Sequence, residues 1–403
     1  MTIQLVNDVT AQLKPYPMEE LSRIRGALVK AGKPVFDFGT GDPKIPTWSP
    51  IRDAIIKAIP QISQYPSVKG SDALRDAQWS YLTRRFGIAR TNDIGIIPSQ
   101  GSKEAIFNIA LCLVGRSGGK KHLIYPDPGY PVYRSSAQFA GGIPYPVRVS
   151  EADGYLLKPW TLPENVQKSA AAIWVNHPHN PTGATANYQY WQELIAWCHK
   201  TDTVLLSDDC YVDIYDTKLD QNINVDPQFD SRPLTPLMFT SDRVLTFMSL
   251  SKRSGLTGYR SGMIAGDHRI VSSLLQARAN FGVGSPDFIQ AGSVVAWSDD
   301  DHVAERRKIF SHRLKLATPH LQNLGLIDNI PEATFYLWCR VPKSFKNDDV
   351  GFILKLAELG IITSPSSWLS EGIGGYFRLA LVPGDDDTLH AMDLMTKFIK
   401  SVN

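Results

Sequence analysis

Residues 249–262 read Ser249-Leu250-Ser251-Lys252-Arg253-Ser254-Gly255-Leu256-Thr257-Gly258-Tyr259-Arg260-Ser261-Gly262, directly after an apolar run that is typical of a buried strand. Arginine forks and hydroxyl groups suit a phosphate dianion, and the glycines let the backbone come close to it. A lysine that bonds covalently to a carbonyl carbon must first lose its proton, which the neighbouring cations Arg253 and Arg260 favour. The loop therefore predicts a site for a phosphate and a reactive amine, with a basic surface loop as the alternative.

The composition limits the classes of protein that come into question. With 403 residues the chain exceeds one usual domain, so two domains that share a long core are expected. A net charge of +2 without a long Lys/Arg run argues against a nucleic-acid partner. The four cysteines are scattered without metal-ligand spacing, and neither a signal peptide nor a membrane-spanning run is evident. We therefore expect a reduced, cytoplasmic protein without a metal site.

The apolar pattern predicts an α/β fold. Short continuous apolar runs at residues 94–98, 122–125, 171–175, 203–207 and 244–248 alternate with helical patterns. Such runs favour a mainly parallel sheet covered by helices on both faces, in which ligands bind at the carboxyl ends of the strands. We expect this sheet to form a large domain over residues 49–292.

The end of the chain has a different pattern. A long charged helix at 299–324 precedes strand-like runs at 334–341 and 375–381, with further helices between and after them. This α+β pattern predicts a smaller domain over residues 293–403, which the N-terminal segment 1–48 joins. In that segment, Gly39-Thr40-Gly41 follows a short strand but lacks the third glycine of a dinucleotide loop, and Pro43 disfavours the helix that should follow.

Several loops that follow predicted strands carry unusual polar groups. Asn180 lies in a proline-bound turn where its amide could bond a ring oxygen or a carboxylate, and Asp208 ends a buried strand, where its carboxylate needs a cation or strong donors. Tyr130 offers a flat face for stacking. The small residues at 99–104 open a helix and could bind an anion or simply cap it at Ser102.

Metal binding is the alternative for two of these loops. Asp208, Asp209 and Asp213 could chelate Mg²⁺, but no partner motif of a phosphatase or nuclease accompanies them. His177 and His179 lie in the proline-bound turn, where they serve as metal ligands or as part of the loop structure.

Taken together, these motifs resemble those of a known family. Asn180-Pro181-Thr182-Gly183, Asp208 with Tyr211, Ser249-x-Ser251-Lys252, Gly258-x-Arg260-x-Gly262 and a late Arg378 follow the order and spacing of class I/II aminotransferases. These are fold-type I enzymes that depend on pyridoxal 5′-phosphate, and the resemblance covers nearly the whole chain. It implies a transaminase with a large parallel-sheet domain and a smaller α+β domain.

The resemblance also implies roles for individual residues. Lys252 would bind the cofactor covalently and move the proton, Asp208 would pair with the ring nitrogen, and Arg378 would hold the substrate α-carboxylate as a bidentate fork. The phenolic oxygen would be bonded by Asn180 and Tyr211. The remaining implied contacts are a stacking ring (Tyr130), phosphate neighbours (Gly101, Ser102, Lys103, Ser249, Ser251 and Arg260) and a residue lining the substrate side (Gly41).

Two further implications concern assembly and substrate. Tyr65 resembles the tyrosine that reaches the phosphate of the neighbouring subunit, which implies a homodimer with shared active sites. Residues 101–104, 249–254 and 258–260, with Gly41-Asp42-Pro43, look like those of N-succinyldiaminopimelate aminotransferases of lysine biosynthesis. The expected reaction exchanges an amino group between L-glutamate and N-succinyl-2-amino-6-oxopimelate.

Other functions stay open on the motifs alone. An aminotransferase of aspartate, alanine or aromatic amino acids would share them, as would a carbon–sulfur lyase on the same fold. A non-catalytic regulator that senses the cofactor is the third class, but such regulators usually carry a DNA-binding module and the chain shows no basic recognition helix.

Overall fold

A computed structural model describes residues 5–11, 13, 18–224, 226–281 and 284–402, with the backbone alone at 18–21. The strands are β1 (Phe36–Asp37), β2 (Ile94–Ser99), β3 (His122–Asp127), β4 (Ile143–Arg148), β5 (Ala170–Val175), β6 (Val204–Asp208), β7 (Val244–Ser249), β8 (Gly262–Asp267), β9 (Tyr336–Arg340), β10 (Ile361–Ile362), β11 (Ser364–Pro365) and β12 (Tyr376–Ala380). The helices are α1 (Asp8–Ala11), α2 (Met18–Lys30), α3 (Ser49–Lys57), α4 (Asp72–Phe86), α5 (Ser102–Leu113), α6 (Val132–Phe139), α7 (Glu164–Ser169), α8 (Tyr188–Thr201), α9 (Leu250–Arg253), α10 (His268–Phe281), α11 (Asp287–Ser298), α12 (Asp301–Asn323), α13 (Asp349–Glu358) and α14 (Asp385–Val402).

The central sheet has the strand order β2-β8-β7-β6-β5-β3-β4. Neighbouring strands from β7 to β4 pair in parallel, whereas β8 runs antiparallel between β7 and β2. Strands β5, β6 and β7 are buried along their whole length, as expected for parallel strands with both faces covered. The predicted α/β fold with a mainly parallel sheet is confirmed.

Two strands of this sheet were not predicted. The predicted phosphate loop extends to Gly262, but β8 begins there and has the sequence Gly-Met-Ile-Ala-Gly-Asp. Strand β4 has the sequence Ile-Pro-Tyr-Pro-Val-Arg, and its two prolines mask the strand pattern. Proline cannot donate to a neighbouring strand, so β4 lies at the edge of the sheet.

The parallel strands bring the candidate site loops to one edge. Strands β2, β3, β5, β6 and β7 run in the same direction, so their carboxyl ends meet there. The loops that begin after these strands carry most of the predicted site residues, which is the usual position of a ligand site in such a sheet. Gly41 and Arg378 come instead from the segment after β1 and from β12.

A second core lies around the three-stranded antiparallel sheet β11-β12-β9 and the parallel pair β1-β10. It includes Phe38 near the N-terminus, Leu314 of α12, Phe377 of β12 and Met392 of α14. Backbone bonds of 2.8 Å join the Phe38 N–H to Ile362 and the Ala380 N–H to Phe38. The N-terminal segment is thereby attached to the C-terminal part of the chain.

Helix α12 belongs to both regions. It has 23 residues and is therefore about 34 Å long at 1.5 Å per residue. Its start contacts the loop after β7, since His302 bonds Ser254 at 2.8 Å, while Leu314 and Leu321 lie in the second core. Helix α11 packs on α3 and α4 and runs through residue 292, where a domain boundary is predicted. The domain limits 1–48, 49–292 and 293–403 stay a prediction.

No helix in the described part of the chain combines the length and the apolar character that crossing a membrane requires.

Candidate active site

A cavity of about 510 Å³ opens at the carboxyl edge of the central sheet. Every site residue that the family resemblance implies, except Gly101 and Tyr65, lines it. The lining consists of Thr40, Gly41, Asp42, Ser102, Lys103, Tyr130, Pro131, Asn176, Asn180, Asp208, Cys210, Tyr211, Ser249, Ser251, Lys252, Thr257, Arg260, Tyr336, Ser364, Trp368, Leu369 and Arg378.

Lys252 reaches the cavity from the turn between β7 and the short helix α9. The Ser249 hydroxyl accepts the backbone N–H of Ser251 at 3.1 Å and so starts this helix. Leu250 is fully buried and anchors the turn, while the Lys252 amine donates to the carbonyl of Gly41. The amine therefore lies between the sheet and the N-terminal loop, within reach of a ligand in the cavity.

Arg253 does not serve as the predicted cation of this cavity. Its side chain is buried on the far side of the turn, where it donates to Asp213 at 2.9 Å, to Asp300 and to the carbonyl of Ala296 at 2.6 Å. Two carboxylates thus neutralise its charge. That part of the prediction is wrong because adjacent side chains in a helical turn point to different sides.

Asp208 presents its carboxylate at the end of β6. It accepts the Tyr133 hydroxyl at 2.7 Å and the Cys210 N–H at 3.4 Å, and its carbonyl accepts the Asn176 amide at 2.6 Å. Burial raises the pKa of Asp208, while the bonds from Cys210 and Tyr133 oppose that rise. A protonated ring nitrogen in the cavity would supply the missing positive charge.

Asp209, the next residue, points away from the cavity. Its carboxylate accepts the hydroxyls of Ser207 at 2.5 Å, Thr235 at 2.6 Å and Thr246. Burial raises the pKa of Asp209 to about 7, although the three hydroxyl bonds lower it. The two carboxylates therefore have separate surroundings.

Arg378 forms the wall of the cavity opposite the sheet. Its guanidinium donates to the Asn180 side-chain oxygen at 2.9 Å and to the Gly39 carbonyl at 2.8 Å. Its Nε is buried without a hydrogen-bond partner, and within the described ranges no carboxylate pairs with it. A buried cation without a counter-ion is an anion site, so this arrangement suits a substrate carboxylate.

Tyr211 and Tyr336 form a pair in the same wall. Their hydroxyl oxygens are 2.9 Å apart. Burial and the neighbouring Tyr336 raise the pKa of Tyr211 well above its ordinary value, so that the Tyr211 phenol stays protonated at neutral pH and can donate a hydrogen bond.

The other end of the cavity suits a phosphate. Helix α5 begins there at Ser102, and its N-terminus carries the positive end of the helix dipole. Arg260 is held at this end by bonds to the carbonyls of Thr257 at 2.7 Å and Gln100 at 3.2 Å. Gly101 has φ +76°, and a Cβ there would collide with the Arg260 guanidinium. Gly101 thus shapes the site without lining it.

The carboxylates and histidines of the metal alternative are engaged elsewhere. Asp213 pairs with Arg85 and Arg253 and does not line the cavity, whereas Asp208 does. His179 bonds the Thr182 hydroxyl at 2.8 Å and the Pro128 carbonyl at 3.1 Å. Burial lowers the pKa of His177 to about 4 and that of His179 to about 3, so both are neutral parts of the loop structure.

Asp213 should contribute to stability in a pH-dependent way. Burial disfavours its charge, but Arg253 and Arg85 lower its pKa to about 2, below the value of about 3.9 in an unfolded chain. The stabilisation is therefore present above about pH 4 and is lost as the pH falls towards 2. We expect Asp213→Asn to lower the free energy of unfolding at pH 7 by about 3–5 kcal/mol, because two buried guanidinium groups lose their carboxylate.

Denaturant unfolding at several pH values checks this expectation. Asp300→Asn is the matched control, since the Asp300 carboxylate that pairs with Arg253 is half exposed and should be worth less than about 1 kcal/mol. The difference between wild type and Asp213→Asn should shrink from pH 5 to pH 3. A difference that is constant with pH would contradict the assigned pKa shift.

Sequence reasoning missed several cavity residues. Tyr336, Cys210, Trp368, Ser364 and Asn176 line the cavity but were not predicted. Asn176 had a detectable signal, because it directly follows the apolar run of β5. Tyr336 had none, since it lies within an aromatic strand where packing is the ordinary role.

Tyr65 lies outside the cavity, fully exposed. Ile56, Ile59 and Ile62 of the same segment are also exposed. Tyr65 therefore takes no part in the cavity of its own chain.

Comparisons with known proteins extend over nearly the whole chain. The family model "Aminotransferase class I and II" matches residues 33–392. The LL-diaminopimelate aminotransferase of Aquifex aeolicus (strain VF5) is 33% identical over 387 residues, which cover 94% of this chain and 96% of that protein. LL-diaminopimelate aminotransferase 2 of Trichormus variabilis is 33% identical over 375 residues, 92% of each chain.

Solved structures agree with the fold. A crystal structure of an aminotransferase from Neisseria meningitidis Z2491 matches with a TM-score of 0.85 and 28% identity, covering 98% of this chain and 100% of that chain. The chain therefore resembles these proteins in full length and not in one domain alone.

Proposed function

Because the chain belongs to the class I and II aminotransferases, we propose that it moves an amino group between L-glutamate and a 2-oxo acid of the diaminopimelate type. It is an enzyme that depends on pyridoxal 5′-phosphate, like its family. The observation that carries the proposal is the grouping of Lys252, Asp208, Asn180 and Arg378 around one cavity.

The residues of the cavity fit this cofactor. A phosphate suits the N-terminus of α5, Arg260 and the hydroxyls of Ser249 and Ser251, and the absent side chain of Gly101 leaves room for Arg260. At the other end, the buried carboxylate of Asp208 would pair with a cation. Pyridoxal 5′-phosphate supplies an aldehyde for the amine and a ring that accepts electron density.

The protein's own groups have distinct tasks in this proposal. Lys252 anchors the cofactor and carries a proton to and from the substrate carbon. Asp208 keeps the ring nitrogen protonated, while Tyr211 and Asn180 hold the ring oxygen. Arg378 binds the α-carboxylate and so positions the bond that loses its proton.

Two forms of the substrate come into question. Motifs of the chain favour an N-succinylated acceptor, whereas the relatives are named for LL-diaminopimelate itself. The identity of 33% over almost the whole chain supports the unsuccinylated form. We therefore propose LL-diaminopimelate and its 6-oxo acid first, with N-succinyl-2-amino-6-oxopimelate as the second candidate.

The proposal includes a cytoplasmic homodimer. The exposed Tyr65 follows the exposed Ile56, Ile59 and Ile62 in the chain, and a second copy of the chain could cover these apolar side chains. Tyr65 would then reach the phosphate of the partner's site. The four cysteines are unpaired, which suits the reducing cytoplasm.

Visible absorbance tests the amino transfer directly. The protein loaded with pyridoxal 5′-phosphate is mixed with L-glutamate and no acceptor, and its band should shift to that of the amino form with release of 2-oxoglutarate. In a second step LL-diaminopimelate and its N-succinyl derivative are compared as donors to 2-oxoglutarate. If neither compound yields glutamate from 2-oxoglutarate, the substrate proposal is overturned.

The same assay separates the remaining alternatives. Aspartate, alanine and aromatic donors reveal a different transaminase, and pyruvate released from sulfur amino acids reveals a lyase. A band that no amino acid converts would contradict amino transfer by this protein.

A further inference from the structure

Tyr336 contacts more of the predicted site than any role in packing requires. It lies in β9 and is buried, and its side chain meets three residues of the cavity. Its hydroxyl is 2.9 Å from that of Tyr211, its ring lies 4.4 Å from the Arg378 guanidinium carbon, and a Cβ on Gly41 would collide with its hydroxyl. These three residues come from three separate segments of the chain.

The contact with Tyr211 affects the direction of one proton. A phenol donates a single hydrogen bond and can accept others. If the Tyr336 hydroxyl donates to Tyr211, the Tyr211 proton is free to point into the cavity. Without Tyr336, no polar group of the described residues bonds the Tyr211 hydroxyl and fixes its direction.

The contact with Arg378 affects the carboxylate clamp. The guanidinium lies over the face of the Tyr336 ring, where the electron density of the ring attracts it. The Nε of Arg378 has no hydrogen-bond partner among the described residues. The fork is therefore held by the bonds from its other two nitrogens to Asn180 and Gly39 and by the ring against its face. The plane of the fork is therefore set partly by Tyr336.

We propose that Tyr336 is a positioning residue that orients both the Tyr211 hydroxyl towards the cofactor's ring oxygen and the Arg378 fork towards the substrate carboxylate. The inference rests on the proposed function, because it assigns the two ends of the cavity to cofactor and substrate. Its two arms involve different parts of one side chain, the hydroxyl and the ring, and can be tested separately.

Tyr336→Phe tests the hydroxyl arm. It keeps the ring but removes the group that fixes Tyr211, so the hydrogen bond to the ring oxygen weakens and negative charge on that oxygen increases. The nitrogen through which Lys252 would be bound to the cofactor lies beside this oxygen, and it then binds its proton more tightly. We expect the midpoint of the pH titration of the visible band to rise by about half to one pH unit, the equivalent of one neutral hydrogen bond, with the KM for the amino donor changed less than about twofold.

Tyr336→Leu tests the ring arm. It removes both the hydroxyl and the cation–π contact, so the midpoint should rise as in Tyr336→Phe and the KM for the donor should also rise by about 3- to 10-fold. Tyr376→Phe is the control, because Tyr376 stacks on Trp338 in the neighbouring strand without lining the cavity. It should have the wild-type midpoint and KM.

The outcomes separate this inference from the proposed function. The absorbance titration needs no substrate, so it can be made even if L-glutamate and both diaminopimelate donors fail. An unchanged midpoint in Tyr336→Phe would overturn the orientation of Tyr211, and an unchanged KM in Tyr336→Leu would overturn the support of Arg378. If the leucine variant does not fold, Tyr336→Met takes its place in the test of the ring, because methionine also removes the ring and its flexible side chain can fill the space.

Discussion

Lys252→Ala is expected to lose transamination by at least about 10⁴-fold, because it removes the amine that anchors the cofactor and carries the proton. Among the described residues, the Lys252 amine bonds the Gly41 carbonyl alone, so the variant should keep the fold. The measurement is the half-reaction with L-glutamate in a stopped-flow spectrometer. Treatment with borohydride followed by dialysis should leave the cofactor attached to wild type and not to the variant.

Two further variants make the result specific. Lys252→Arg keeps a positive charge but stays protonated and should remain inactive. Lys308→Ala removes an exposed lysine on α12 that pairs with Glu305, and it should keep wild-type rates. Transamination near the wild-type rate in Lys252→Ala would mean that another amine serves the cofactor and that the site is placed wrongly.

The parallel part of the fold could be predicted because each of its buried strands is a short continuous apolar run in the sequence. The stretch 170–175 is buried on both faces and therefore has no polar alternation that could resemble a helix or a surface strand. Strand β8 could not be separated from the glycine-rich loop before it. Its glycines and its alanine have weak strand preference, and its place depends on pairing with β2 and β7.

The candidate site was predictable where a residue's position in the chain decides its role. Asp208 and Lys252 follow buried strands, and the edge of the sheet then brings them together. The prediction for Arg253 was wrong and Tyr336 was missed because position in the chain does not decide their roles. Their roles depend on Asp213 and Arg378, which are distant in sequence, and no local pattern encodes such contacts.

Asp208 and Asp209 are the same residue type in different positions, so substitutions at the two sites test whether position in the cavity decides the role in catalysis. Both carboxylates are buried, adjacent in sequence and bonded by hydroxyl groups, but only Asp208 lines the cavity. We expect Asp208→Asn to lower kcat by about 10²- to 10³-fold, as for other losses of one electrostatic partner in an active site. The isosteric amide keeps the volume but cannot keep the ring nitrogen of the cofactor protonated.

Asp209→Asn is the matched control for that loss. Its amide lies among the same three hydroxyls from Ser207, Thr235 and Thr246, away from the cofactor site. We therefore expect kcat within about twofold of wild type and a visible absorbance band at the wild-type wavelength. Burial raises the pKa of Asp209 to about 7, so near neutral pH the wild-type group is already partly protonated and the amide replaces it at little cost. Kinetics of the half-reaction measure the effect on catalysis, and a thermal melt measures the effect on stability. Equal losses of kcat in both variants would mean that the charge of the pair, and not the position of Asp208 in the cavity, matters for the reaction.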